Sequence, residues 1–525
     1  MKEAAVASPV ESPAASDDAA RLAIAPTDVH DRALAANVHP EDWLNPEPAS
    51  RYNLVVVGAG TAGLVAAAGA AGLGARVALV ERDLMGGDCL NFGCVPSKAL
   101  IRAARSYAEV RDAARFGVQV PPGARVDFSL VMERMRRIRA EFSAKDSAAR
   151  FKSLGVDVFI GAGRFTGRNT LEVAGKGLRF ARAAIATGAR AASIPIPGLK
   201  EAGYLTNETV FALTGLPRRL AVIGAGPIGC ELAQTFRRFG AEVTLLEAAP
   251  QILIREDRDA AERVERAMVR DGVSLIVSAN IKNVSTRGDE KVINLGCGSE
   301  TRQIAADEIL IGVGRAPAVD GLGLEAAGVE YDRTRGITVN DRLQTANPRI
   351  YAAGDVCSAY KFTHVSDAMA RIVIRNALFS GRAAVSALTI PWCTYTDPEI
   401  AHVGLYEADA RRRGIEVATF VQELADVDRA ILDGESDGFV KLHADRKTGR
   451  IVGATIVASH AGEMISELTM AIAAGVHMSA LADVIHPYPT QAEAIRKTGD
   501  AWNRARLTPL VHRMFKGWLA IRRYV

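Results

Sequence analysis

The chain has 525 residues, of which 49% are hydrophobic and 24% are charged, and its formal net charge is +4. This length suffices for roughly three domains, each with its own hydrophobic core. The modest charge, without basic stretches interleaved with aromatic residues, gives no reason to expect a nucleic-acid partner. Six cysteines in so long a chain exclude a small protein built on a disulfide framework.

The first fifty residues are rich in Ala, Pro, Asp and Ser, and no apolar stretch follows a basic start. We therefore predict a disordered tail over residues 1–50 rather than a signal peptide, and the cytoplasm as the location. Residues 52–75 carry no charge and are long enough for a membrane span. Glycines interrupt them, however, so a strand from Leu54 to Val57 that turns into an Ala-rich helix explains them better.

A glycine motif lies between this strand and helix. It has the pattern G-x-G-x-x-G and consists of Gly58, Gly60 and Gly63. A second predicted strand, Arg76 to Val80, then ends at Glu81. Strand, motif, helix and acid together form the context that dinucleotide binding requires. The glycines let the backbone approach a pyrophosphate at a helix N-terminus, and Glu81 can accept hydrogen bonds from ribose hydroxyls.

Two cysteines follow in the stretch GGDCLNFGCVPSKAL, residues 86–100. Cys94 precedes a predicted helix from Pro96 to Val110, whose N-terminus and the nearby Lys98 favour a thiolate that can exchange with a disulfide or dithiol. A structural disulfide and half of a metal site are the competing interpretations. The chain shows neither an export signal nor a second cysteine group with zinc-like spacing. We predict that Cys89 and Cys94 form a redox-active pair, and we predict no metal site.

The glycine motif recurs after a predicted strand from Leu220 to Ile223, as Gly224, Gly226 and Gly229. The next predicted strand, Glu242 to Leu246, leads to Glu247, and in both copies the acid lies 23 positions after the first glycine. Two dinucleotide motifs in register, with a dithiol after the first, predict an enzyme that uses a flavin and a nicotinamide rather than a binding module.

The remaining chain completes an α/β pattern. Apolar strands end in glycine near residues 184–189, 309–317 and 350–355, and ligands bind at such strand ends in parallel sheets. From Pro391 the pattern changes to strands that alternate with a helix at residues 463–475. We predict an α/β fold with two Rossmann-like dinucleotide-binding domains and a C-terminal α+β domain.

From about Tyr52 to Thr498 these features resemble the class I pyridine nucleotide-disulfide oxidoreductases, which include dihydrolipoyl dehydrogenase, glutathione reductase and mercuric reductase. The stretch GGDCLNFGCVPSK is specific to that family. The resemblance implies that Cys94 is the thiol nearest the flavin, able to form a charge-transfer thiolate, and that Cys89 is the interchange thiol. It also implies that Lys98 lies near the flavin N5 and pairs with Glu231.

The resemblance implies FAD and a nicotinamide dinucleotide as cofactors. The residues expected around FAD are Gly58, Gly60, Gly63, Glu81, Lys98, Thr187, Gly188 and Asp355, the last at the ribityl chain. Those expected around the nicotinamide dinucleotide are Gly224, Gly226, Gly229, Glu247 and Gly314. Because the carboxylate of Glu247 would repel a 2′-phosphate, we predict NADH over NADPH, although Arg255 downstream counteracts this preference.

The implied domain order is a tail at 1–50, an FAD-binding domain in two parts at 51–206 and 336–390, an NAD(P)-binding domain at 207–335, a dimerisation domain at 391–500 and a basic amphipathic helix at 501–525. A homodimer is expected, in which the dimerisation domain lends Tyr488 and Glu493 to the active site of the neighbour.

One position departs from the disulfide reductases and dihydrolipoyl dehydrogenases, which carry a His-Pro motif with a glutamate five residues after the histidine. Here Glu493 aligns with that glutamate, so Tyr488 stands at the position of the base. Tyrosine, with a pKa of about 10, is a poor base for a dithiol but can donate a proton. Either His486 substitutes through a shifted turn, or the substrate needs no such base.

Tyrosine at this position is the mercuric reductase pattern, but no cysteine follows Cys393, whereas mercuric reductases carry a C-terminal pair. We predict a mercuric-reductase-like, FAD-dependent NAD(P)H oxidoreductase that passes electrons through Cys89 and Cys94 to a metal ion, a disulfide or a quinone. A dihydrolipoyl dehydrogenase is the alternative. A regulatory flavoprotein with little turnover is the third possibility.

Two further features have two interpretations each. Asp88 stands where many relatives have threonine; an inward carboxylate would raise the pKa of the adjacent thiol and disfavour anionic substrates, whereas a solvent-facing one would not. No acidic residue follows Asp500, and Leu510 to Arg523 has the spacing of an amphipathic helix. That helix either contacts an anionic membrane peripherally or packs on its own dimer.

Overall fold

The protein is described by a computed structural model for residues 24–297 and 300–524. The chain forms two compact units. The first contains the residues up to Ile252 together with Asp271–Ala387, and the second contains Leu253–Arg270 together with the residues from Leu388 onward.

A largely parallel sheet carries the first glycine motif. Four parallel strands lie side by side in the order Val156–Ile160, Val77–Glu81, Tyr52–Val57 and Lys176–Ile185. Ile350–Ala352 also pairs in parallel with the last of these, so a late stretch of the chain returns to the first sheet. Thr170–Val173 and Gly163–Gly167 continue the sheet as antiparallel strands. The strand Tyr52–Val57 is apolar almost throughout and is buried except at Asn53, as expected for a strand covered on both faces.

A second parallel sheet carries the second glycine motif, with the strand order Ser274–Ile276, Glu242–Leu246, Arg219–Ile223 and Glu308–Ile311. Three antiparallel strands accompany it: Ile281–Arg287, Glu290–Cys297 and Glu300–Ala306. Two small antiparallel pairs complete the first unit, Ala189–Ala191 with Arg315–Pro317 and Tyr331–Asp332 with Gly336–Ile337.

The first unit also contains helices. They are Val29–Val38, Thr61–Gly72, Gly87–Asn91, Cys94–Arg111, Phe128–Ser143, Ala148–Ser153, Leu199–Ala202, Pro227–Phe239, Leu324–Ala327 and Thr363–Phe379, with 3-10 turns at Ala113–Phe116, Ala144–Asp146, Val210–Ala212 and Val385–Ala387. Small residues let Thr61–Gly72 approach Thr363–Phe379 closely, since a Cβ added at Gly69 would lie 2.6 Å from Ile374 Cδ1.

The second unit is built on a five-stranded antiparallel sheet. Its strand order is Pro391–Thr394, Glu399–Gly404, Ile451–Ala458, Phe439–Asp445 and Val417–Glu423. Its helices are Glu407–Arg412, Asp428–Leu432, Ala461–Ala473, Met478–Leu481, Glu493–Ala505 and Pro509–Arg522, with a 3-10 turn at Leu424–Asp426, and residues 258–270 of the helix Arg258–Asp271 belong to it as well. The predicted α/β fold with two dinucleotide-binding regions and a C-terminal α+β domain is confirmed.

The prediction of a disordered tail is wrong for residues 24–50, while residues 1–23 lie outside the described residues. Asp28 caps the helix Val29–Val38, and Asp31 within it pairs at 2.7 Å with the buried Arg139. Asn45 then donates to Ile160 O at 2.9 Å and accepts from Ile160 N at 2.8 Å, which covers the edge of the first sheet. Composition missed this order because its contacts are made with distant residues.

The structure divides the predicted C-terminal helix at 501–525 between two helices. Residues 501–505 complete the helix Glu493–Ala505, and a separate helix runs over Pro509–Arg522, where the Thr508 hydroxyl accepts from Val511 N at 3.4 Å. Within the described part of the chain, every helix is too short or too polar to cross a bilayer.

Candidate active site

Both glycine motifs connect a strand to a helix with the same geometry. Gly58 has a φ of +101° and Gly224 a φ of +100°, a backbone region that favours glycine. A Cβ added at Gly63 would lie 1.8 Å from Gly58 O, and one at Gly229 would lie 1.9 Å from Gly224 O. Only glycine at the third position therefore allows each helix to begin so close to its strand.

The middle glycine of each motif borders open space instead. A Cβ added at Gly60 would come no closer than 3.7 Å to the described atoms, and one at Gly226 would have no described atom within 4 Å. The helices Thr61–Gly72 and Pro227–Phe239 start directly after these glycines. This arrangement fits a pyrophosphate, because the backbone is accessible where the helix dipole favours an anion.

The acid after each second strand lies against its glycine loop. Glu81 accepts from Ala59 N at 2.6 Å and Glu247 accepts from Ala225 N at 2.7 Å, each through Oε2. The other oxygen of each carboxylate accepts from a backbone N–H two residues downstream, at 2.8 Å in both cases. Burial raises the pKa of Glu81. The two predicted dinucleotide sites thus share one local construction.

The two cysteines lie on consecutive helices. Cys89 is within Gly87–Asn91 and is half-buried, and Cys94 is the exposed first residue of Cys94–Arg111; both are free thiols. A hydrogen bond from Cys89 and the charge of Lys98 lower the pKa of Cys94 to about 6, against the opposing effect of desolvation by the surrounding protein atoms. The same hydrogen bond and burial raise the pKa of Cys89. One thiol therefore ionises much more readily than the other.

An ion pair connects the dithiol helix with the helix of the second glycine motif. Lys98 Nζ lies 2.8 Å from Glu231 Oε2, and the Glu231 side chain is buried. The predicted pairing of these two residues is confirmed. A buried carboxylate requires a partner of opposite charge, so the pair fixes the position of the cation beside the cysteines.

Asp88 does not face solvent freely. Its carboxylate forms an ion pair with Arg315 and accepts from Asn207 Nδ2 at 2.9 Å, while Arg315 Nη1 lies 3.1 Å from Asp355 Oδ2. Arg315 thus bridges the residue before Cys89, the expected interchange thiol, and the residue expected at the ribityl chain. The charge of Asp88 also contributes to raising the pKa of Cys89, as the inward interpretation predicts.

Three predicted cofactor residues meet beside the small pair Ala189–Ala191 and Arg315–Pro317. The Thr187 hydroxyl donates to Ala318 O at 2.7 Å, and Gly188 O accepts from Ala318 N at 3.0 Å. Gly314 O accepts from Ala192 N at 3.0 Å. The Thr187 hydroxyl is therefore engaged with the protein backbone.

Tyr488 and Glu493 lie in the second unit. Tyr488 is 72% exposed and its hydroxyl donates to Asp428 at 2.9 Å, a bond that raises the pKa of the tyrosine. Glu493 begins the helix Glu493–Ala505 and pairs with Arg496 at 2.8 Å. In contrast, the His486 side chain is only 6% exposed and lies 3.1 Å from Glu467 Oε1. Tyr488 is thus the accessible ring of this loop.

Sequence reasoning missed three residues of the first unit. Thr363 Oγ1 lies 3.4 Å from Cys94 Sγ, and Arg315 and Asn207 hold Asp88. Arg315 follows the apolar run of residues 309–313 at a strand end, which is a usable signal for a ligand site. Thr363 and Asn207 carry no comparable signal, because only the fold brings them to the dithiol.

Comparison with known proteins agrees with this geometry. Residues 52–370 match the family described as pyridine nucleotide-disulphide oxidoreductase, and residues 390–498 match its dimerisation domain. The chain belongs to this family. The match to the dimerisation domain indicates that this oxidoreductase is a homodimer.

Individual relatives of this oxidoreductase include a mercuric reductase from Bacillus cereus, 36% identical over 86% of this chain and 72% of the relative. A dihydrolipoyl dehydrogenase from Thermus scotoductus is 34% identical over 86% of this chain and 98% of the relative. Among solved structures, the Cu(II) complex of the HOCl-induced flavoprotein disulfide reductase RclA from Escherichia coli has a TM-score of 0.76 and 30% identity, over 85% of this chain and 98% of that one. This oxidoreductase is therefore an FAD-dependent enzyme that uses a pyridine nucleotide and a redox-active disulfide.

Proposed function

We propose that this oxidoreductase takes electrons from NADH and delivers them through Cys89 and Cys94 to a thiophilic metal ion, in the manner of the mercuric reductases among its relatives. The observation that carries this choice of acceptor is the exposed Tyr488 beside a sequestered His486. A disulfide or a quinone is the other class of acceptor for the same dithiol.

The protonation of the reduced pair favours a metal ion. Cys94 is a thiolate at neutral pH, whereas Cys89 keeps its proton because its pKa is raised. A dithiol substrate needs a base to remove its proton, and tyrosine is a poor one. A soft metal ion displaces the thiol proton itself when it binds sulfur, so it needs no base. Tyr488 and Glu493, supplied by the neighbouring subunit, would instead border the acceptor, with the Tyr488 hydroxyl as a hydrogen-bond donor and the Glu493 carboxylate as an acceptor.

The first glycine motif, Glu81, Thr187, Gly188 and Asp355 would hold FAD, which when bound accepts a hydride and passes on two electrons. Lys98 would place a positive charge next to the Cys94 thiolate, and Glu231 keeps that cation in position. The second glycine motif and Gly314 would hold the nicotinamide dinucleotide. Each turnover would convert one NADH and one proton to NAD⁺ and reduce the Cys89–Cys94 disulfide to the dithiol, which would then pass the two electrons to the acceptor.

We propose NADH as the preferred donor. Both oxygens of the Glu247 carboxylate are held by backbone N–H groups beside the second glycine loop. A fixed negative charge at this place accepts from a free 2′-hydroxyl and repels a 2′-phosphate. A specificity constant at least tenfold higher for NADPH than for NADH would contradict this preference.

The test is an acceptor panel with purified, FAD-loaded enzyme. NADH oxidation is followed with Hg(II), Cu(II), glutathione disulfide, lipoamide and a quinone, each with wild type and with Cys89→Ser and Cys94→Ser. We expect the metal ions to give the highest specificity constants and both variants to lose that activity. Faster turnover of lipoamide, or of dihydrolipoamide with NAD⁺, would instead identify a dihydrolipoyl dehydrogenase.

A further inference from the structure

The function proposed above assigns no role to the helix Pro509–Arg522, here named the C-terminal helix. It follows the residues that match the dimerisation domain, which end at 498. None of its 14 residues is buried. Apart from Val511, its large apolar side chains are exposed by at least half, including Phe515 at 53% and Trp518 at 59%. Exposed apolar surface of this extent is typical of a site that contacts another protein or a membrane.

The apolar and basic side chains of this helix separate onto two faces. At 100° per residue, the apolar side chains form one broad stripe: Leu510, Val511, Met514, Phe515, Trp518, Leu519 and Ile521. His512, Arg513, Lys516 and Arg523 lie on the opposite face. The guanidinium of Arg522 lies 5.8 Å from the ring centroid of Trp518.

The charge of this segment selects among possible partners. No acidic residue follows Asp500, whereas Arg504, Arg506, Arg513, Lys516, Arg522 and Arg523 are all basic. A two-fold contact between the apolar stripes of two copies would leave these basic side chains facing water without partners of opposite charge. An anionic lipid surface attracts them instead and accepts the apolar stripe below its headgroups, where Trp and Phe are favoured.

We infer that the C-terminal helix binds the oxidoreductase peripherally to a membrane that contains anionic lipid, with Phe515 and Trp518 inserted and Arg513 and Lys516 at the headgroups. A homodimer carries two such helices. Binding of both to one surface strengthens attachment without any additional contact.

The experiment uses the full-length, FAD-loaded dimer and vesicles of phosphatidylcholine with or without phosphatidylglycerol. We expect co-sedimentation with the anionic vesicles that weakens as salt is raised. The variant Arg513→Gln/Lys516→Gln is expected to bind them about 25-fold more weakly, because each basic side chain near an anionic surface contributes about fivefold. The variant Phe515→Ser/Trp518→Ser is expected to lose binding altogether.

Phe116→Ser is the matched control, since Phe116 is 59% exposed but lies outside this helix. It should bind vesicles like wild type, and all variants should keep the wild-type rate of flavin reduction by NADH. Light scattering gives the oligomeric state. Equal sedimentation of wild type and Phe515→Ser/Trp518→Ser would overturn the inference. The inference would also be overturned if wild type did not bind vesicles and Phe515→Ser/Trp518→Ser were no longer a dimer. That result would show that a second copy covers the helix.

Discussion

The pKa of Cys94 is the property on which the proposed chemistry depends most directly. The structure lowers it to about 6 from the ordinary value of 9.0, first through the hydrogen bond from Cys89 and then through the charge of Lys98. At pH 7 a thiol with a pKa of 6 is about 90% thiolate, whereas one with a pKa of 9 is about 1% thiolate. The two neighbours therefore change the amount of reactive thiolate by nearly two orders of magnitude.

Three variants separate the two contributions. Cys89→Ser keeps a hydroxyl donor and prevents a disulfide, so the pKa of Cys94 should stay depressed. Cys89→Ala removes the donor, and Cys89→Ser/Lys98→Met removes the cation. Each of these two changes should raise the pKa by about one unit or more, because a lost hydrogen bond or opposite charge disfavours the thiolate. In every variant the thiolate is present above its pKa and disappears as the pH falls through it.

The assay follows the long-wavelength absorbance that a thiolate beside oxidised flavin produces, titrated from pH 5 to pH 10 in the FAD-loaded enzyme. Cys94→Ser, which lacks the thiol, is the control and should show no such band. We expect a midpoint near pH 6 in Cys89→Ser and clearly higher midpoints in the other two variants. One common midpoint for all three would refute the assignment of the shift to Cys89 and Lys98.

Three further predictions concern the dinucleotide loop, the residue before the interchange thiol and the missing base. Gly226→Ala should keep the wild-type melting temperature, because the added Cβ meets no described atom. It should weaken NADH binding at least tenfold in titrations of flavin reduction, because the Cβ enters the space for the pyrophosphate. Wild-type affinity would argue against that site. Asp88→Asn removes a negative charge and should therefore lower the pKa of Cys89. Alkylation of Cys89 by iodoacetamide at pH 8, measured by peptide mass spectrometry, should become several-fold faster. An unchanged rate would show that Arg315 already neutralises Asp88. Tyr488→His places a base five residues before Glu493 and should raise the rate of NAD⁺ reduction by dihydrolipoamide by about 10²-fold or more. No gain would mean that the base is not what limits this reaction.

The local motifs of this protein were predictable from the sequence alone. Each glycine motif, its strand, its helix and its acid lie within one short stretch, and steric rules between near neighbours dictate their geometry. The same holds for the dithiol, whose helix N-terminus and Lys98 are encoded within ten residues of Cys89. Nearest-neighbour chemistry was therefore enough to indicate two dinucleotide sites and a redox pair.

Contacts between distant residues were decided only by the tertiary structure. Thr363 reaches Cys94 across 269 residues, and Arg315 joins Asp88 to Asp355, because strand order brings these stretches of chain together. Residues 24–50 have the composition of a disordered tail, yet Asp31 and Asn45 find partners on a distant helix and strand. Composition reports only the interactions that a segment can make within itself. In the folded protein, contacts with distant residues offset the conformational entropy that is lost when the segment becomes ordered.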